Sequence, residues 1–147
     1  MSLKERIQQD MKDAMRAAEK PRLATIRLIL AAIKQIEVDE RKDLDDTGVT
    51  IVLDRMVKQR RESISQFEKA GRTDLVDQEA AELAIIKTYL PEPLSDSELN
   101  VLIDEAMAQT GASSIKDMGK VMALLKPGLQ GRADMGAVSS MIKARLG

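Results

Sequence analysis

The sequence of 147 residues contains neither cysteine nor histidine. Zinc and most transition-metal sites in proteins rely on these two side chains, and Ser–His or Cys–His pairs need at least one of them. We therefore expect no metal ion, no cofactor and no nucleophile of this kind. Carboxylates, lysines, serines and Tyr89 remain as groups able to transfer protons, so enzyme activity stays open, although we expect none from this chain alone.

Aromatic residues are almost absent, since only Phe67 and Tyr89 occur. Hydrophobic residues nevertheless make up 44% of the chain, so leucine, isoleucine, valine, alanine and nine methionines must fill the core. Methionine adapts to irregular gaps between helices. No segment combines strand alternation with β-branched enrichment. The sequence predicts an all-α fold.

Long apolar runs are also missing. No stretch reaches the roughly 18 apolar residues that a membrane-spanning helix needs, and the first residues lack the apolar core of a signal peptide. Without cysteines there is no disulfide framework that would indicate secretion. We therefore expect no membrane span and a cytoplasmic location.

Four helices are predicted in residues 1–90, forming an antiparallel N-terminal domain. Ser2 and Glu5 have the spacing of a capping box at the first helix. Pro21 suits the first turn of the second helix, and Gly71 suits the end of the third. The broad apolar face of the second helix predicts that it is the most buried.

Polar residues at 42–48 predict a loop before the third helix, with Thr50 as its N-cap. Thr73 or Asp74 is predicted to cap the fourth helix. Apolar residues at helical spacing in these two helices are predicted to face the core: Ile51, Val52, Met56, Val57, Ile64, Phe67, Leu75, Val76, Ala80, Leu83 and Ile86.

The prolines at 91 and 93 predict a domain boundary, followed by a three-helix domain over residues 95–147. Ser95 and Glu98 form a second capping box, and Gly111 is expected to end that helix.

The next helix of this domain is predicted from Ile115 to about Lys126, capped by Ser114. Pro127-Gly128 is expected to break it and to open a glycine-rich connection as far as Gly136. Asp134 is predicted to cap the last helix.

Charge is distributed unevenly, although the net charge is only −1. Positions 92–105 carry five acids and no base, whereas positions 116–147 carry six bases and two acids. This segregation predicts a local basic surface in the last third of the chain. Lys116 and Lys120 lie one helical turn apart, and Arg132 lies among glycines that allow close approach to a phosphate.

Other motifs have simpler explanations. Ser113–Lys116 and Ser140–Lys143 match Ser-x-x-Lys, but the companion motifs of penicillin-binding proteins are absent. The glycines from 111 to 136 do not form a nucleotide-binding loop. The acids between Asp39 and Asp46 lack the order of a calcium loop and indicate a solvated linker.

The cluster Lys58-Gln59-Arg60-Arg61 lies within the third predicted helix. Pairs four residues apart, such as Asp54 with Lys58, explain part of it as a salt-bridged surface. For Arg60 and Arg61, a solubilising role and a further role remain open.

Several stretches resemble the free-standing YqeY proteins of the GatB/YqeY family. The resemblance extends over the whole chain, and its motifs follow in the right order: 22–27, 57–64, 66–72, 89–91, 116–122 and 131–134.

The C-terminal part of that family is similar to the helical tail of the B subunit of tRNA-dependent amidotransferases. The resemblance therefore implies a helical N-terminal part, a small helical tail domain and contact of the tail with tRNA. Amidotransferase chemistry would belong to other subunits. A partner implied in this way is a tRNA-charging or amidotransferase protein, and the oligomeric state stays open.

Carried over by position, the resemblance implies that Lys116, Lys120 and Arg132 contact tRNA, with Lys126 and Lys143 secondary. Many relatives carry a lysine before the Gly-Arg-Ala-Asp stretch and another soon after it. Here Gln130 and residues 135–137 stand in those places, which implies weaker phosphate binding.

Three functions follow as hypotheses. The first is a non-catalytic accessory module that contacts tRNA and is linked to tRNA-dependent amidation or tRNA charging. The second is a component of a carbon–nitrogen ligase of the glutamine-dependent amidotransferase type, which would need partner subunits. The third is a protein-interaction module with a methionine-rich groove, favoured if Met107, Met118 and Met122 are exposed.

Overall fold

A computed structural model describes residues 1–129 and 132–147, in which seven α-helices and one short 3-10 turn account for all the regular structure and no strand occurs. The prediction of an all-α fold is confirmed. Gln130 and Gly131, which belong to the motif around Arg132, lie outside the described residues. The helices are α1 (Leu3–Arg16), α2 (Lys20–Glu40), α3 (Asp46–Lys69), α4 (Thr73–Lys87), α5 (Asp96–Thr110), α6 (Met118–Leu129) and α7 (Met135–Leu146).

The chain divides into two compact units, an N-terminal unit of Met1–Leu90 and a tail unit of Pro91–Gly147. Each has a hydrophobic core of its own. In the N-terminal unit α2 contributes Ile26, Ile29 and Ile33, which are fully or almost fully buried. Residues three and four apart share one side of a helix. The other side of α2 is consequently left for solvent.

Local sequence signals explain most helix ends. The Ser2 and Ser95 hydroxyls accept from the backbone N–H groups of Glu5 and Glu98, and both capping boxes are complete. Gly111 adopts φ 67° after α5, a left-handed conformation that glycine enters without steric cost. These predicted boundaries are confirmed.

The start of α3 differs from the prediction, because the helix begins four residues before Thr50. The Asp45 carboxylate accepts from the Gly48 N–H at 2.9 Å and is the N-cap. The predicted loop at 42–48 includes Gly48, but this residue lies in the first turn of α3, where an added Cβ would be 2.9 Å from Leu44 Cδ2. Thr50 is helical, and its hydroxyl donates to the Asp46 carbonyl.

Three smaller predictions in α3 and α4 are also wrong. The N-cap of α4 is Arg72, which makes no capping hydrogen bond with its side chain, whereas Thr73 is the first helical residue. Ile51 and Ala80 are exposed rather than buried. The apolar stripe of each helix is narrower than a count of apolar residues suggests, because each helix presents only one side to its neighbours.

In the tail unit, Pro127 does not end α6, which continues to Leu129. Proline at this position removes a hydrogen bond to the Ala123 carbonyl, and Ala123 is exposed, so solvent can replace the missing donor. Leu125 and Leu129 are buried on one side of the helix and hold its last turn against the core. The expected break at Pro127-Gly128 was therefore wrong.

No helix of the described residues has the length and hydropathy to cross a bilayer. Within the same residues, no group of three or more acidic side chains is arranged to hold a metal ion.

Candidate nucleic-acid interface

The cations that the sequence predicts to contact tRNA belong to the tail unit, in which α5, α6 and α7 share one hydrophobic core. Ile103, Val121, Leu129, Val138 and Ile142 are completely buried in it. Because each of the three helices contributes at least one of these side chains, the surface positions between them are fixed relative to one another.

Lys116 and Lys120 lie on either side of the junction between a 3-10 turn (Ile115–Asp117) and α6. Ser114 precedes this turn. The segment predicted as one helix from Ile115 therefore consists of a 3-10 turn followed by an α-helix. The Asp117 carboxylate accepts from the backbone N–H groups of Ser113 and Ser114 at 3.1 and 3.4 Å. These two hydrogen bonds, with a smaller effect of Lys120, lower the pKa of Asp117.

Lys126 is exposed in the last turn of α6, where the helix dipole favours a cation. It follows Lys120 by six residues, which corresponds to a rotation of roughly 120° about the helix axis. Lys120 and Lys126 therefore point in different directions, and a ligand must curve around α6 to contact both.

Arg132 is engaged in the structure of the tail unit itself. Its carbonyl accepts from the Leu94 N–H at 2.8 Å, and its own N–H donates to the Leu129 carbonyl at 2.9 Å. The guanidinium Nε donates to the Glu92 carbonyl at 3.4 Å. Arg132 thus ties the segment before α5 to the end of α6, a role that sequence spacing did not reveal.

Of the two cations near the C-terminus, Lys143 is exposed without an ion pair among the described residues, whereas Arg145 is paired within the tail unit. Lys143 is exposed on α7. The Arg145 guanidinium pairs with the Asp104 carboxylate and donates to the Asn100 side-chain oxygen at 2.7 Å. Arg145 consequently joins α7 to α5.

Four lysines of the tail unit are thus both exposed and unpaired: Lys116, Lys120, Lys126 and Lys143. Within residues 1–129 and 132–147, none of them forms an ion pair. We call these residues the tail lysines. They are the cations of this unit that can take up phosphate without first breaking an ion pair among the described residues.

The basic cluster in α3 has a different character. Arg60 Nε lies 2.9 Å from Glu82 Oε2 and 3.3 Å from Glu79 Oε2, and its side chain is only 15% exposed. Arg60 therefore fastens α3 to α4, whereas Arg61 is exposed. This answers the question left open for Arg60, because its role is structural.

Comparison with known proteins identifies relatives whose similarity extends over almost the whole chain. The family model described as Yqey-like protein matches residues 4–146. The protein named "Altered inheritance of mitochondria protein 41, mitochondrial" from Lachancea thermotolerans is 34% identical over 148 residues, covering 95% of this chain and 76% of that protein.

Proteins of the same name from two further yeasts are similar as well. The Kluyveromyces lactis protein is 33% identical over 147 residues, covering 95% of this chain and 79% of its own length. The Eremothecium gossypii protein is 42% identical over 94 residues, covering 63% of this chain and 51% of its own length. The resemblance inferred from the motifs is confirmed.

These relatives contradict the expected cytoplasmic location, since all three are named as mitochondrial proteins. The expectation depended on the absence of cysteine and of an apolar leader. A lack of disulfides argues only against oxidising compartments. The lack of disulfides does not distinguish the cytoplasm from other reducing compartments, so the prediction of a cytoplasmic location was wrong.

Proposed function

The chain belongs to the YqeY-like family, and we propose that it is a non-catalytic accessory module whose tail unit contacts the backbone of tRNA. In this proposal it serves tRNA-dependent amidation or tRNA charging carried out by partner proteins.

One observation carries the proposal, namely that the tail lysines are exposed and unpaired whereas the arginines of the same unit are not. Arg132 and Arg145 are held by Glu92, Asn100 and Asp104. A lysine without an internal partner can neutralise a phosphate and release its counterions without breaking an ion pair. The cations best suited to tRNA are therefore the four tail lysines, and Arg132 contributes by shaping the loop.

The charge distribution predicts weak binding that depends strongly on salt. The tail unit also carries five acids in residues 92–105, and the whole chain has a net charge of −1. Four phosphate contacts correspond to a log–log salt slope of about 3. Because aromatic residues are almost absent, the module would recognise backbone and shape rather than stack on unpaired bases.

The methionine-rich groove receives less support. Met107, Met118 and Met122 are half-buried and pack against the core of the tail unit. The part of each side chain that packs on the core is not available to a partner helix.

The test is fluorescence anisotropy with labelled bulk tRNA, at low and at physiological salt, against an RNA hairpin of equal charge. The variant K116A/K120A removes the two tail lysines nearest the start of α6. Lys12→Ala serves as the control, since Lys12 is an exposed lysine in the N-terminal unit. We expect tRNA to bind more tightly than the hairpin, and the double variant to lower the salt slope by about 1.5.

Two results would refute the proposal. One is equal binding of tRNA and hairpin, or no binding of either. The other is an equal loss of affinity in K12A and in the double variant, which would indicate general electrostatic attraction. Circular dichroism of each variant shows whether the tail unit is still folded, because unfolding of α5–α7 would lower the total helix signal.

A further inference from the structure

The solvent side of α2 carries an apolar stripe that nothing in the N-terminal unit covers. Its members follow each other at steps of four, three, four and three residues, which is the spacing of a and d positions in a coiled coil. Leu28 is 46% exposed and Val38 is 58% exposed. We call the stripe the α2 seam. It consists of four apolar residues and one polar residue, all exposed: Ala24, Leu28, Ala31, Val38 and Gln35.

A column of cations runs beside the α2 seam. Basic residues recur at every seventh position, and all of them are exposed. In coiled-coil terms Arg27 and Lys34 occupy the g positions next to Leu28 and Gln35, the two a positions of the seam. Lys20 is the first residue of α2, one heptad earlier, and Arg41 is the C-cap of the helix. We call this the basic column: Lys20, Arg27, Lys34 and Arg41.

The basic column is not held by ion pairs among the described residues, although Lys34 helps to lower the pKa of Glu37. None of its members forms an ion pair with a carboxylate in the part of the chain that the structure describes. Each step of seven residues advances about 10.5 Å along the axis. Lys20, Arg27 and Lys34 therefore present positive charge at a regular interval along α2, and Arg41 follows just beyond its C-terminal end.

The opposite flank of the α2 seam carries little charge. Its e positions are Thr25, which is buried, Ala32, which is half-buried, and Asp39, which is exposed. The seam is consequently asymmetric, with cations along one edge and a single acid on the other.

This asymmetry excludes a second copy of α2 as the occupant. An antiparallel pair would place one basic column against the other, and like charges at this spacing repel. A parallel pair would place each column against Thr25, Ala32 and Asp39 of the copy, which offers a single acid. Neither arrangement provides enough carboxylates to pair with the cations of the basic column.

The apolar residues argue against nucleic acid at the same place. A phosphate backbone would pair with the basic column, but it would leave Leu28 and Val38 uncovered. The small side chains at Ala24 and Ala31 instead allow the axis of a second helix to approach closely. Gln35 places a polar side chain inside the seam, and its amide Nε2 donates to Asp39 Oδ1 of the same helix at 3.0 Å.

We propose that the α2 seam docks an amphipathic helix of another protein, whose apolar stripe covers the seam and whose acidic edge pairs with the basic column. The binding mode is that of a coiled coil in which one helix belongs to a folded unit. This inference is independent of tRNA contact by the tail lysines.

The probe is a labelled four-heptad peptide with leucine at a and d and glutamate at e and g, used at concentrations where sedimentation shows it to be monomeric. A second peptide has lysine in place of every glutamate. Binding of both to the full chain is measured by fluorescence anisotropy. We expect the acidic peptide to bind, and the basic peptide to bind at least tenfold more weakly.

Two variants of the chain locate the site. R27E/K34E reverses the centre of the basic column, and Val38→Asp places a charge in the α2 seam. R55E/R61E changes net charge equally on exposed positions of α3 and is the matched control. We expect each of the first two variants to weaken the acidic peptide at least tenfold and the control to change its affinity less than twofold.

The proposal is overturned if both peptides bind alike, if neither binds, or if the control weakens binding as much as R27E/K34E does. It is also overturned if R27E/K34E abolishes tRNA binding while the peptide does not bind, since α2 would then be an RNA surface. Thermal unfolding of every variant, followed by circular dichroism, identifies any loss of binding that comes from unfolding.

Discussion

The Tyr89 hydroxyl donates a hydrogen bond of 2.6 Å to the Asp10 carboxylate, joining the segment after α4 to the middle of α1. Tyr89 is 4% exposed, and the Arg6 guanidinium lies 5.0 Å from the centre of its ring. Arg22 of α2 approaches the same carboxylate at 3.9 Å. The Asp10 carboxylate of α1 is therefore shared by Tyr89, which follows α4, and Arg22 of α2.

Tyr89→Phe should destabilise the N-terminal unit by about 2 kcal/mol at pH 7, because a hydrogen bond to a charged acceptor is lost while the ring remains. Urea unfolding followed by circular dichroism measures this difference. Phe67→Leu is the control, since Phe67 is only half-buried. A change below about 0.5 kcal/mol would show that the hydrogen bond is not stabilising.

Alkaline pH should act through the same residue. Burial, followed by the bond to Asp10, raises the pKa of Tyr89 above its usual value. A raised pKa means that the stabilisation is complete below the unfolded value near pH 10 and is lost as pH rises above it. The stability difference between wild type and Tyr89→Phe should therefore be constant from pH 7 to 9 and shrink above about pH 10. A constant difference up to pH 11 would contradict this account.

Acid should weaken the junction between α1 and the end of α2. Glu37 Oε2 accepts from Lys4 Nζ at 2.7 Å and from the Leu44 N–H at 2.9 Å, and these bonds lower the pKa of Glu37. The stabilisation is present above the ordinary glutamate value and is lost as pH falls through the lowered one. Glu37→Gln should therefore be less stable than wild type at pH 7, with a smaller difference at pH 3. Glu62→Gln is the control, at an exposed position that forms no ion pair among the described residues, and should show no such trend.

Removing Arg60 should weaken the contact between α3 and α4. Arg60→Ala leaves Glu79 and Glu82 without their cation, and because all three side chains are largely buried the cost should be about 2 kcal/mol. Arg61→Ala removes an exposed arginine next to it and should cost less than about 0.5 kcal/mol. Equal effects of the two substitutions would show that the ion pairs add nothing.

Glycines in α6 offer a way to separate packing from recognition. An added Cβ at Gly119 or Gly128 would meet no atom within 4 Å. Gly119→Ala and Gly128→Ala should therefore each stabilise the tail unit, by up to about 1 kcal/mol, through helix propensity. If Gly119 allows close approach of a phosphate beside Lys120, only Gly119→Ala should also weaken tRNA binding. An equal change in tRNA affinity for both variants would remove any role of Gly119 in recognition.

Local sequence signals were sufficient for the helices and for several of their ends. Ser2 with Glu5, Ser95 with Glu98, and Asp134 act through hydrogen bonds to residues two or three positions away. Such contacts depend on the chain nearby, so they can be inferred without the fold. The family was also readable from the sequence, because its motifs are contiguous.

Signals that compete locally were decided by tertiary packing. Thr50 and Asp45 are both good N-caps, and the helix begins after Asp45, where contacts from other elements hold the chain. The Leu3 N–H donates to Asp46 Oδ1 at 2.9 Å, and the Leu44 N–H donates to Glu37 Oε2 at 2.9 Å. Pro127 is a helix breaker by propensity, yet burial of Leu125 and Leu129 holds the helix beyond it. Propensity is worth a few kcal/mol at most, and the burial of two leucines is of comparable size.

The sequence could not predict which cations form internal ion pairs, and the reason is physical. By itself the sequence determined the all-α class, the helices, the family and the basic residues near the C-terminus. Only the tertiary structure decided that Arg60, Arg132 and Arg145 are used internally whereas the tail lysines and the basic column are free of ion pairs among the described residues. An ion pair forms between groups as far apart in the chain as Asp104 and Arg145, and such distances are set by the packing of helices rather than by spacing along the chain.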